Sequence, residues 1–233
     1  MAELAPEVIE ALLRRERWAV AGRLARGIVH NISGGVQMAR LPLELAEIRL
    51  GQGQDPSDKL AACMEGLERI TQEVGTLATF ASEGAKAVDL ARLVRDQLGI
   101  WRAHTYFKHE LQVELDLEEG VGVVASYHEL AAAFHALVAN AVESLEASGA
   151  RQLVIRVHAT TRAELEVADS GPGISPKLGH KAFEAFVSTK GEDHDGLGLF
   201  LASYAVGKWG GQLLWDPSRP STFTMALPLM ASP

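Results

Sequence analysis

Between Asn140 and Leu199 the chain collects residue types suited to a nucleotide, its phosphates and a divalent ion. Asn140 opens the run NAVES and offers a helix-borne amide. Asp169 opens DSGPGIS, with Gly171 and Gly173 close behind it. A carboxylate accepts from an exocyclic amine, which separates adenine from guanine. Two nearby glycines let the backbone approach a flat ligand without an intervening side chain. The stretch AFEAFVSTKGEDHDGLGLF then supplies a glycine-rich lid carrying Thr189 and Lys190. It ends in Gly196-Leu197-Gly198-Leu199, just before an apolar run. Bare backbone N–H groups at such a helix start form an anion site.

The elements that must position these residues read as two different halves. Residues 7 to 50 are rich in Ala, Leu, Arg and Glu, good helix formers. Leu60, Cys63, Leu67, Ile70, Val74, Leu77 and Ala81 follow at alternating spacings of three and four, a heptad seam. The connecting GQGQDPSD predicts a stop at Gly51 and Gly53, a turn at Pro56 and a cap from Ser57. Two long helices joined this closely pack antiparallel. A lone hairpin buries little, so two copies are expected to form a four-helix bundle, which makes the chain a homodimer. On the first helix, His30 lies about 200° round from Ile28, away from the face shared by Leu24 and Ile28.

The heptad pattern ends near Ser82, Glu83 and Gly84, giving expected domains of 1–84 and 85–233. Strands are expected at 110–117, 121–125, 152–158, 163–169, 211–215 and 222–227, with helices at 89–104, 127–147 and 198–208. That order predicts an α/β sandwich with one helical layer, and an α+β class for the whole chain.

The bulk numbers exclude several functions. The chain has 233 residues, 47% of them hydrophobic, enough for a packed core. Its net charge of −8 speaks against a nucleic-acid binder, which needs a basic face. Cys63 is the single cysteine, so no internal disulfide can form. No apolar run reaches transmembrane length, and MAELAPEVIEALLRRERW has no signal-peptide core. A soluble, cytoplasmic protein is expected.

Asn140, Asp169-x-Gly171-x-Gly173, Phe183-x-x-Phe186 and Gly196-Leu197-Gly198-Leu199 resemble the four ATP-binding boxes of histidine kinases, in order and with suitable gaps. The wider superfamily includes gyrase, Hsp90 and MutL. RLARGIVHNISGGVQ, at 23–37, resembles the phosphoacceptor box of sensor histidine kinases. The resemblance covers about residues 20–229 and implies a Bergerat-type ATP-binding fold, a mixed sheet under three helices. It implies ATP and Mg²⁺ as ligands, His30 as phosphoacceptor, and a response-regulator receiver domain as partner. Asp169 would read adenine, and Asn140 would hold Mg²⁺, with Glu143 able to reach a water of the ion. Thr189 and Lys190 match the polar pair near the phosphates, where lysine acts as a point cation. Phe183 and Phe186 would anchor the lid on the apolar core.

This sequence also departs from the family. Asn31 stands where relatives carry Glu or Asp; its amide can orient the His30 ring but cannot take up a proton. Gly34 replaces the Thr or Asn that positions a dephosphorylating water. The Gly34-Gly35 pair admits two readings, a loosened helix or close helix packing. Ala136 stands where the hydrolases place a water-activating Glu, and His135, about 140° from Asn140, is a poor substitute. A phosphotransfer scaffold with a degenerate kinase domain, and an ATPase or serine kinase of the same superfamily, remain as alternatives.

Overall fold

The structure is a computed structural model that describes residues 4–230 except 82–83, 103, 176 and 189–194. Within its helices and strands, the side chains of 16–31, 72–73, 75–81 and 220 also lie outside the described set. The chain divides into two compact units, one of residues 21–82 and one of 83–233 together with 1–20.

Helix α1 spans Pro6–Gly51 and α2 spans Ser57–Ala81. Among the described residues no helix is long and apolar enough to cross a membrane. Within the unit of 21–82, the helices meet through small residues. A Cβ at Gly35 would come within 2.8 Å of Ile70 Cγ1, and one at Gly66 within 2.7 Å of the Ala39 nitrogen. The pairs 35 with 70 and 39 with 66 run in opposite senses along the two helices. Gly35 is therefore a packing glycine, and α1 continues as helix through it and through Pro42. A Cβ at Gly34, by contrast, would meet no described atom within 4 Å. The cap of α2 differs from expectation. Ser57 is the first helical residue, and it donates from both N and Oγ to Asp55 Oδ1, at 2.9 and 2.6 Å. Asp55 is thus the capping acceptor, and these bonds hold its carboxyl below the usual range.

These contacts predict unequal effects of alanine at the glycines. Gly35→Ala and Gly66→Ala are expected to cost about 1–3 kcal/mol each through overpacking. Gly34→Ala should instead stabilise the helix by up to about 1 kcal/mol. Thermal melts followed by helical circular dichroism check this; equal shifts for Gly34 and Gly35 would count against the close contact.

The second unit is a layered α/β structure. Strand β1 (Lys86–Asp89) pairs antiparallel with β3 (Gly122–Ala125) in a two-stranded sheet. The main sheet orders as β2-β4-β5-β7-β6, using β2 (Gln112–Leu117), β4 (Gln152–Ala159), β5 (Ala163–Asp169), β6 (Gln212–Asp216) and β7 (Arg219–Leu227). β2 and β4 are parallel and the other neighbours antiparallel. The parallel pair needs a long crossover, and α5 (Tyr127–Ser148) lies within it. The remaining helices are α3 (Leu90–Trp101), the short α4 (Thr105–His109) and α6 (Gly198–Lys208), with a 3-10 turn at Gly179–Phe183.

Alternation decides the faces of the sheet. Leu153, Ile155 and Val157 of β4, Leu165 and Val167 of β5, and Met225 of β7 are fully buried or nearly so. They share the core with Leu90 and Leu93 of α3 and Leu130, Phe134, Leu137 and Leu145 of α5. Removing this apolar surface from water is the main stabilising contribution to the unit. The opposite face of β5 carries Glu164 and Glu166. Glu166 accepts from Arg156 on β4 at 2.6 Å and from Arg219 on β7 at 3.0 Å. Its carboxylate is only 8% exposed, whereas the guanidiniums are 37% and 55% exposed. Glu166→Gln leaves two cations without their shared anion. The expected cost is about 1–2 kcal/mol, less than for a fully buried pair because both arginines reach water. A lowered urea midpoint at constant slope would show it.

The first turns of α1 belong to this unit. Ile9 and Leu13, one turn apart, are buried, and Glu10 lies beside them. Lys208, at the end of α6, bridges Glu10 at 3.1 Å and Glu129 at 2.7 Å. Trp209 Nε1 donates to the same Glu129 at 2.5 Å. Desolvation would lower the Lys208 pKa, but the bonds to Glu129 and Glu10 outweigh it and raise the pKa.

Candidate functional site

The expected base reader sits where strand alternation puts it. Ala163, Leu165, Val167 and Asp169 fall on one face of β5, and the first three are buried in the core. Asp169 therefore ends the strand on its helix-covered side. Ser144 of α5 confirms the proximity, with Oγ 3.4 Å from Asp169 Oδ1. Asp169 Oδ1 also accepts from the Gly171 N–H at 2.8 Å, closing an Asx turn. Ser221 Oγ, from β7, donates to the Gly171 carbonyl at 2.8 Å. The turn after β5 is thus held from its own strand, from α5 and from β7.

The two glycines of this turn serve different needs. Gly173 has φ of +68°, the left-handed region that a side chain strains. Gly171 is constrained by space: a Cβ there would collide with Ser144 Oγ and stand 2.7 Å from Asp169 Oδ1. Its lack of a side chain makes room for the protein's own groups.

On α5, Ala136, Asn140 and Ser144 recur every four residues and share a face, with Glu143 beside them. The stripe rises by about 12 Å from Ala136 to Ser144. At its far end, a Cβ at Gly198 would lie 3.8 Å from Ala136 Cβ. The stripe therefore connects the first residue of α6 to the turn at Asp169. Asn140 and Glu143 lie between these ends and are half-buried. His135, off this stripe, stacks with Trp101 at a ring-centroid distance of 4.8 Å.

Phe186 and Gly196 meet in a strained backbone closure. Phe186 N–H donates to the Gly196 carbonyl at 3.1 Å. A Cβ at Gly196 would stand 2.7 Å from the backbone of Phe186 and Val187, and its φ is +62°. Both facts require glycine. Phe186 itself has φ of +64° and is 64% exposed. It does not anchor the lid on the core as the spacing suggests. That role falls to Phe183, whose ring meets Phe223 edge-on at 6.3 Å. The local reason is the left-handed backbone at Phe186, which the Gly196 bond fixes.

Leu197 and Leu199 flank the start of α6 and are half-buried. Thr189 and Lys190 lie outside the described residues, as do the side chains of His30 and Asn31, which α1 carries. The structure thus sets Asp169 and Gly171 at one end of the stripe, Gly198 at the other, and Asn140 and Glu143 between them. Ser144 and Ser221 belong to the site without standing out in the sequence. Ser144 carries a usable signal, since it is one turn from Asn140 and on the same face. Ser221 carries none, because its partner Gly171 is fifty residues away and joined to it only through the sheet. Among the described residues no group of three or more His, Cys, Asp or Glu side chains could hold a metal ion. Any divalent ion here would depend mostly on its ligand's phosphates and on water, as Mg²⁺ commonly does.

Residues 126–231 match the family described as histidine kinase-, DNA gyrase B- and HSP90-like ATPase. The chain is 29% identical over 231 residues to the C4-dicarboxylate transport sensor protein DctB of Rhizobium meliloti, covering 95% of this chain and 36% of that protein. It is 26% identical over 233 residues to the sensor histidine kinase ZraS of Salmonella typhi, covering 97% and 49%. The chain therefore spans between about a third and a half of the length of these curated relatives. Among solved structures, the mycobacterial sensor histidine kinase MprB superposes with a TM-score of 0.53 at 26% identity, over 63% of this chain and 98% of that one. Full-length ShkA in complex with AMPPNP gives a TM-score of 0.56 at 20% identity, over 98% and 47%, a likeness of fold. Residues 126–231 thus match a domain of the mixed α+β type found in histidine kinases, gyrase B and HSP90, and most of the chain is similar in sequence to sensor histidine kinases.

Proposed function

We propose that the chain is the kinase core of a two-component sensor histidine kinase, with residues 1–84 for dimerisation and phosphotransfer and 85–233 for catalysis. The observation that carries this reading is the single α5 stripe, which runs from Gly198 to the Asp169 turn and holds Asn140 midway. Its length suits a nucleoside triphosphate lying along it, base at Asp169 and phosphates at the start of α6. The Asp169 carboxylate accepts from the adenine amine. The N–H groups around Gly196 and Gly198 meet the phosphates, with Leu197 and Leu199 setting the helix start and Thr189 and Lys190 completing the lid. Asn140 would hold Mg²⁺, with Glu143 placed to contribute through water, and the bound ion would supply positive charge against the phosphates.

His30 is the acceptor. Neutral imidazole attacks the γ-phosphorus, an N–P bond forms, the bond to the β-phosphate oxygen breaks, and ADP leaves. Asn31 orients the ring by accepting from its other nitrogen. Positioning and charge neutralisation supply most of the rate in such transfers. Ala136, against Gly198, has no group to activate water, which favours transfer to His30 over hydrolysis. The phosphoryl group then passes to an aspartate of a response-regulator receiver domain. The exposed apolar row of Leu41, Leu45 and Ile48 on α1, with Leu60, Met64 and Leu67 on α2, supports a homodimer built on these helices. A cytoplasmic location is consistent with this role.

Incubation of the intact chain with γ-labelled ATP and Mg²⁺ tests the reading. An acid-labile, alkali-stable label is expected. Acid-stable label on a partner's serine would move the protein to the serine kinases, and ATP binding without label would make it a scaffold.

A further inference from the structure

Ser144 differs from an ordinary helical serine. Serines inside helices commonly bond back to the carbonyl one turn earlier. Ser148, in the same helix, does so, with Oγ 2.8 Å from the Ser144 carbonyl. Ser144 Oγ is directed instead at Asp169 Oδ1, 3.4 Å away. It fills the space that a side chain at Gly171 would need. Packing alone does not call for a hydroxyl on this stripe, since Ala136 occupies the equivalent place two turns earlier.

We propose that Ser144 is a positioning residue for base recognition, acting through Asp169. The proposal rests on the ATP-binding reading above. A carboxylate turns easily about its terminal torsion, whose energy profile is broad. The Gly171 N–H and the Ser144 O–H approach the same oxygen from different elements, one from the turn and one from α5. Together they set the rotation at which the carboxylate meets the exocyclic amine of adenine. Ser221 serves the same end from β7, holding the Gly171 carbonyl so that the Gly171 N–H stays aimed at Asp169. Removing the Ser144 hydroxyl leaves the carboxylate in place but less restrained. The loss should appear only for ligands that present the amine.

The test uses the whole chain with Mg²⁺ and two probes, ATP and purine riboside 5′-triphosphate, which lacks the six-amino group. Dissociation constants are measured by titration calorimetry for wild type and Ser144→Ala. The variant should lose about three- to tenfold in ATP affinity, the worth of one hydrogen bond. Affinity for purine riboside triphosphate should not change, and nor should the melting temperature. In an Asp169→Asn background, Ser144→Ala should have no further effect on either probe. Equal weakening of both probes would make Ser144 a wall of the pocket and overturn the assignment. Unchanged ATP affinity would overturn it as well. Both results leave ATP binding by the wild type intact, so the broader reading survives them. A wild type that binds neither probe overturns that reading and this proposal together.

Discussion

His30→Ala is expected to abolish the acid-labile label while leaving the affinity for Mg·ATP within about twofold of wild type. The physical reason lies in the acceptor. An imidazole of ordinary pKa, near 6.5, is mostly neutral at cellular pH and offers a lone pair. Alanine offers none, and Asn31, the next residue, carries an amide that is no nucleophile at phosphorus. The groups proposed to bind nucleotide lie on α5, β5 and α6, in the unit of residues 83–233 together with 1–20. Binding should therefore survive a change in the helical unit, which holds His30. Filter-bound label after alkaline and acidic washes reads the transfer, and calorimetry reads the binding. Label persisting in the variant would place the acceptor elsewhere. Loss of both label and binding would mean that the substitution reaches the unit of residues 83–233.

Asp169→Asn is expected to weaken ATP binding by roughly ten- to a hundredfold, the range for losing a hydrogen bond to a charged acceptor and leaving polar groups mismatched. The variant keeps the volume of the side chain and an oxygen able to accept from the Gly171 N–H, so the turn should persist. What changes is the other half of the group, where a carboxylate acceptor becomes an amide that can present donors to the adenine amine. Selectivity for ATP over GTP should fall with affinity, because guanine carries an acceptor where adenine carries the amine. The competition between the two triphosphates in a labelled-ATP binding assay measures both. A uniform loss for ATP and GTP would indicate damage to the turn, and an unchanged ratio would remove Asp169 from base recognition.

Much of the fold follows from local pattern. The alternation at 163–169 and the helix at 198–208 coincide with β5 and α6 to the residue, and α5 extends the expected 127–147 by one residue. Long, strongly patterned elements are legible because their periodicity and their burial agree. The elements that pattern does not reveal are short. β1, α4 and the 3-10 turn at Gly179–Phe183 have four or five residues each, too few to show a period. β1 exists because β3, more than thirty residues later, supplies its hydrogen-bond partners. The cap of α2 departs from the pattern for a related reason. Asp55 and Ser57 are both good capping residues, and only the backbone path decides which accepts.

The sequence by itself determined the inventory of the site. An amide, a carboxylate and glycines stand in the order and spacing of a nucleotide-binding set, and two long helix-forming stretches accompany them. These are properties of residue types and short intervals, which survive any tertiary arrangement. Only the tertiary structure decided why each residue is needed. Gly34 and Gly35 are neighbours in sequence, yet Ile70 crowds only the second. Phe183 and Phe186 look equivalent, yet a left-handed backbone at Phe186 turns that ring toward solvent. Gly171 reads as a gap left for a ligand, yet α5 fills that gap with Ser144. Each of these depends on which distant element lies within about 4 Å, where van der Waals contact and hydrogen bonding begin. Local periodicity tells which face a residue takes, and packing tells what that face meets.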